Sequence, residues 1–253
     1  MGTGRGAGDA TELYVRAPDS RGEVGNDNSI TKWSQDTGDV IKETLSQLAE
    51  GLTGIAASDR KELVFSVGHI LQSLRKGLFL SRFLKEWNTY RDKGRVKDDY
   101  LGTEQHQACL QELLEFLDHD SPDEVRFETL KKIFLVAATE TASDRTSLLP
   151  YQFLRLSRGM SSGEIIVLNA TYQIAKEGFQ EVSAAAQWLE IIASKSGLKH
   201  PALAEIHEEK LIQKYMISGR RLTDRSGVVV KPHFRLTSLA YELCEYIANY
   251  EAS

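Results

Sequence analysis

The chain has 253 residues, is 41% hydrophobic and 26% charged, and carries a formal net charge of −5, which bounds it to one large or two modest globular domains. From Pro150 onward 12 Lys and Arg face 11 Asp and Glu, leaving 19 against 25 before it; an acidic body with a near-neutral end disfavours bulk attraction to nucleic acid. No run approaches the roughly 18 apolar residues of a membrane span, and two cysteines, Cys109 and Cys244, make no disulfide framework, so a cytoplasmic setting is expected.

Residues 1–30 read as a flexible leader. Six of the 19 glycines fall there, at positions 2, 4, 6, 8, 22 and 25, with few large apolar residues. Gly2-Thr3-Gly4-Arg5-Gly6-Ala7-Gly8 follows no strand and lacks a Gly-Lys-Ser/Thr ending, which excludes a phosphate loop. The leader also lacks the apolar core of a signal peptide, so export is not expected.

Over 30–55, Trp33, Val40, Ile41, Leu45, Leu48 and Leu52 recur at helical spacing. Asp59 and Glu62 form a capping-box pair ahead of a longer stripe that runs from Leu63 through Val67, Ile70, Leu71, Leu74, Leu78, Phe83 and Leu84 to Trp87. Gly77 is placed to kink this helix and Gly94 to end it. Between Leu74 and Trp87, basic residues interleave with bulky apolars, as in helices that fit a partner's groove or lie on anionic membranes. A core helix with a solvated basic edge explains the same text, but the apolar count exceeds one narrow face. Leu78, Phe79, Phe83 and Trp87 are therefore the candidate partner contacts, with the membrane surface disfavoured.

A helix over 103–118 follows. Ser121-Pro122-Asp123-Glu124 then reads as a sharp helix start, with Ser as cap and Pro at the first helical position. That helix should run to about Thr139 and holds the longest apolar run, Ile133–Ala138. The polar stretch Thr141–Ser147 is the best linker, which divides the chain into a leader at 1–30, a helical unit at 31–140 and a second unit at 148–253.

The second unit starts with a short helix at Tyr151–Leu156, broken by Arg158-Gly159. Ser161 and Glu164 open another helix as a capping box, a further one ends at Gly197, and Pro201 begins the helix carrying Leu203, Ile206, Leu211 and Ile212. Two strand-like runs, Met216–Leu222 and Val228–Leu236, flank a turn-forming Thr223–Gly227, and Thr237 caps a last helix. The expected fold is mainly α: a helical N-terminal unit and a C-terminal winged-helix-like unit with one β-hairpin.

Arg220, Arg221, Arg225, Lys231, His233 and Arg235 crowd this hairpin. Such a ribbon can track a phosphate backbone, or it can carry charge only to protect a sheet edge from aggregation. The preceding helix argues against base readout, since Glu205, Glu208 and Glu209 would face phosphate.

Metal and catalytic sites find little support. Asp118, His119, Asp120 and Asp123 cluster before a helix, but a calcium loop starting at Asp118 would have Asp123 and Thr129 where it needs Gly and Glu. His106 and Cys109 share a helix face without a second ligand pair, and His207-Glu208 is followed at position 211 by Leu rather than His. No catalytic residue, metal site or cofactor is assigned. The chain reads as a non-enzymatic interaction or regulatory protein that docks on a protein partner or on itself. The alternative is a backbone-directed DNA or RNA binder using Arg220, Arg221, Arg225, Lys231 and Arg235.

Met160-Ser161-Ser162-Gly163-Glu164, then Leu211-Ile212, then Arg235-Leu236-Thr237-Ser238-Leu239-Ala240-Tyr241-Glu242-Leu243, resembles the end of bacterial helical proteins of the abortive-infection alpha group. The likeness covers about ninety residues. It implies a bacterial accessory protein tied to defence against phage or mobile elements, and no functional residue carries over.

Overall fold

A computed structural model describes residues 66–97, 100, 103–140, 148–178, 185–219, 222–224, 227–229 and 235–251, all within one unit spanning Val40–Ser253. This part is mainly helical. In chain order it contains α1 (Leu74–Asp92), α2 (Glu104–His119), α3 (Glu124–Thr139), α4 (Leu149–Arg158), α5 (Ser162–Lys176), α6 (Ala185–Ser196), α7 (Pro201–Gln213), the short strands β1 (Leu222–Asp224) and β2 (Gly227–Val229), and α8 (Ser238–Ala248).

The apolar stripe expected as one long helix is two. A helical segment at 66–71 tightens at Gln72 and Ser73, whose N–H groups bond to His69 and Ile70 only three residues back, and α1 starts afresh at Leu74. The break falls at this polar pair, and Gly77 lies inside a continuous α1. Gly94 does end the helix, with φ +64°, a left-handed conformation that glycine adopts without steric cost. The Asp59–Glu62 pair and the 30–55 pattern lie outside the described residues.

α3 is the centre of the core. Ile133, Phe134, Leu135, Ala137 and Ala138 are all sealed from solvent, as befits a helix whose C-terminal half is apolar all round. It packs on α1, α2, α4, α5 and α8. Its start differs from expectation by two residues: Asp123, not Ser121, is the cap, its Oδ1 accepting from Arg126 N–H at 3.1 Å, because a carboxylate accepts that bond as well as a hydroxyl. The linker at 141–147 lies outside the described residues. Helices drawn from either side of it, α2 and α3 before and α4 and α5 after, pack directly together.

α5 opens with the expected capping box. Ser161 N–H donates to Glu164 Oε2 at 2.5 Å, and Glu164 N–H donates to Ser161 Oγ at 3.3 Å. The buried Glu164 also accepts Lys214 Nζ at 2.7 Å, tying the start of α5 to the end of α7. The two helices approach so closely that the His207 ring lies where a Cβ on residue 163 would sit; only glycine fits there. Beyond α7, Ile217 pairs with Leu236 as an antiparallel bridge, and β1 pairs antiparallel with β2, with Leu222 opposite Val229. Thr237 caps α8 by accepting from Ala240 N–H at 3.2 Å.

Candidate docking surface

α7 fixes the geometry of the candidate site. It is held from inside by Ala204, Glu208 and Leu211, all buried, at the i, i+4, i+7 spacing of one helical face. Glu208 is the unusual member. Its carboxylate accepts the Trp188 indole N–H at 2.8 Å and Arg235 Nη2 at 2.9 Å, while Arg235 Nη1 donates to the Ser218 carbonyl at 2.6 Å. Both charged side chains are almost closed to water, at 3% for Arg235 and 4% for Glu208, so each neutralises a charge the other could not leave alone in the interior.

Arg235 therefore corrects the ribbon reading: expected on a phosphate-facing edge, it turns inward to a carboxylate and a carbonyl. Arg220, Arg221, Arg225 and Lys231 lie outside the described residues.

The partner-contact expectation for α1 is corrected in the same way. Phe79 packs on Phe127 at 4.7 Å, Phe83 on Phe134 at 5.1 Å, and Trp87 on Phe134 at 5.2 Å and along His106 at 5.9 Å. The apolar surplus on α1 is covered by α2 and α3 of this same chain. Leu78 alone of the four is exposed, at 52%.

The outward face of α7 is where large apolar side chains meet solvent. Leu203 is 42% and Ile206 48% exposed, although their spacing reads as core. Glu205, Glu209 and Lys210 are exposed beside them. The inward face could not be read from sequence because its anchor is a glutamate whose partner lies 27 residues further along.

The end of α7 adds a second anomaly. Met216 N–H bonds to the Leu211 carbonyl at 2.9 Å and Tyr215 N–H to that of Ile212 at 3.0 Å, the Schellman pattern that places a left-handed residue just past the helix. That residue is Tyr215, with φ +59° and 81% exposure. Glycine is the usual occupant, since a Cβ there costs about 1–2 kcal/mol. An aromatic ring in a strained, solvated position is not explained by packing.

The remaining candidate chemistry resolves into structure. Asp118 pairs with His69 at 2.7 Å, Asp120 accepts from Arg126 at 3.0 Å and Arg158 at 3.3 Å, and Asp123 caps α3. Among the described residues, no group of three or more His, Cys, Asp or Glu side chains is placed to hold a metal ion. Burial lowers His106 to about 4 and pushes the Cys109 and Cys244 thiols up to about 12, which keeps these sulfurs protonated and unreactive at neutral pH. No described helix is long and apolar enough to cross a membrane. The chain matches no family model, no curated protein and no solved structure.

Proposed function

We propose that this is a non-enzymatic interaction protein whose residues 148–253 act as a winged-helix-like module docking on a protein. In this reading α6 and α7 take the place of a helix–turn–helix pair, and the Ile217–Leu236 bridge with β1 and β2 forms the base of the wing. The observation that carries the proposal is the outer face of α7, where Leu203 and Ile206 stand exposed beside Glu205, Glu209 and Lys210. Apolar contacts supply affinity once water is excluded, and two carboxylates against the single Lys210 leave the face acidic, which favours a partner that flanks its own apolar residues with Lys or Arg. Tyr215, exposed just past the end of α7, offers a further aromatic anchor of the kind that dominates interfaces. The occupant is thus a basic amphipathic segment of another protein.

The nucleic-acid alternative is weaker by one residue, Arg235, and the acidic face of α7 repels phosphate. The C-terminal likeness to the abortive-infection alpha group adds a biological setting to the proposal: the module would recruit a bacterial accessory protein to its partner.

The test is fluorescence anisotropy with a labelled amphipathic helical peptide of Leu and Lys, run beside a labelled DNA duplex of equal charge. The expected result is saturable peptide binding that weakens at least tenfold in Ile206→Arg, with little response to duplex. Equal peptide binding by Ile206→Arg, or duplex binding that tightens steeply as salt falls, would overturn it.

A further inference from the structure

A second surface of this chain supplies what the outer face of α7 asks for. On α1, Arg75, Leu78, Arg82 and Lys85 are all exposed, and their i, i+3, i+7, i+10 spacing puts them on one side of the helix. Leu78, at 52%, is the large apolar residue that α1 leaves in water.

The charges of this stripe do not cancel. Arg82 grips Glu124 with bonds of 2.6 and 2.9 Å and shares Glu128 with Lys131, which also holds Glu86. With Lys132 beside them on α3, these three acids and three bases balance. Lys76 turns away to the Asp118 carbonyl. Arg75 and Lys85 form no ion pair among the described residues, so two unmatched cations frame one exposed leucine. The α7 face is the counterpart, with Leu203 and Ile206 exposed beside Glu205 and Glu209 and a single Lys210. The two surfaces match in apolar character and are opposite in sign.

We infer that the protein docked on α7 is a second copy of this chain, presenting its α1 stripe. The inference rests on the docking reading and names its partner. Leu78 lies against Leu203 and Ile206, while Arg75 and Lys85 meet Glu205 and Glu209; Arg82 stays with Glu124. So few anchors fall short of a standard stable interface, so the association is reversible and follows concentration. Salt weakens it, because the charges sit on an exposed rim.

Sedimentation velocity of the full chain, over a range of concentrations at low and high salt, tests this. The expected result is a weight-average mass that rises with concentration, more steeply at low salt. Arg75→Glu with Lys85→Glu, and separately Glu205→Lys with Glu209→Lys, should each weaken self-association at least tenfold. Mixed in equal amounts, the two variants should recover it, since each unlike contact then joins opposite charges. All four positions are exposed, and circular dichroism checks that both variants fold. A wild type that stays monomeric, variants that associate as the wild type does, or a mixture without recovery would overturn the assignment. A monomeric wild type that pellets with phosphatidylserine vesicles through Arg75 and Lys85 would overturn it in favour of a lipid surface. If a monomeric wild type still binds the Leu–Lys peptide and Ile206→Arg does not, the docking reading stands and only the second copy is wrong. Loss of both removes the two together.

Discussion

Glu208 and Arg235 meet at 2.9 Å with both side chains withdrawn from water, joining the inner face of α7 to the strand segment that leads into α8. The pair fixes which side of α7 faces out, and so it creates the candidate docking surface without taking part in it.

Breaking this pair should be costly because the survivor is left as an uncompensated buried charge. Arg235→Met is expected to lower unfolding free energy by about 3–5 kcal/mol. Adding Glu208→Gln, which keeps an acceptor for the Trp188 indole, should recover a large part of that loss. Urea unfolding of the single and double variants measures both, and a double variant no more stable than the single would mean the geometry rather than the charge is at fault.

Tyr215 should trade stability for contact. Tyr215→Gly relieves the left-handed backbone, and after allowance for glycine's extra unfolded-state entropy it should raise stability by about 0.5–1 kcal/mol. The same variant should bind the basic peptide at least fivefold more weakly. A thermal melt and an anisotropy titration on one sample decide it.

His106 gives the fold a defined acid sensitivity. Its imidazole is held neutral by burial, at about 4 against a reference of 6.5. Below pH 6.5 the unfolded chain takes up a proton that the folded chain refuses, so stability falls with pH until about pH 4. The full loss from this group is about 3 kcal/mol. Unfolding midpoints between pH 7 and 4.5 should show the decline, and His106→Phe, which keeps a ring beside Trp87 and Tyr100, should flatten it.

The close approach of α5 and α7 is testable at one atom. Gly163→Ala drives a methyl into the His207 ring and should cost about 1–3 kcal/mol. His207→Ala in the same chain should remove most of that penalty. Additive losses in a double-mutant cycle would place the strain elsewhere.

Local signals were readable in the sequence where the physics was local. The Ser161–Glu164 box, the Thr237 cap, the Gly94 and Gly197 stops and the buried run Ile133–Ala138 depend on neighbours a few residues away, and each stands as expected. What depended on distant partners was not readable. Phe79, Phe83 and Trp87 looked like surplus apolar surface because nothing in their own segment reveals that α2 and α3 cover them. Arg235 looked like a free cation because its carboxylate lies 27 residues back, on α7. A cleft between α3, α5 and α8, lined among others by Val125 and Ile247, likewise draws on segments more than a hundred residues apart.

The burial of α3 also sets an order of events during synthesis. Its apolar sides face α4, α5 and α8 as well as α1 and α2, so a ribosome releases this most adhesive helix well before its last cover has been made. Until α8 emerges, the nascent chain carries sticky, incompletely wrapped surface, the condition under which chaperones are recruited and aggregation competes. Slowing translation after α3 should therefore lower soluble yield more than slowing it after α8.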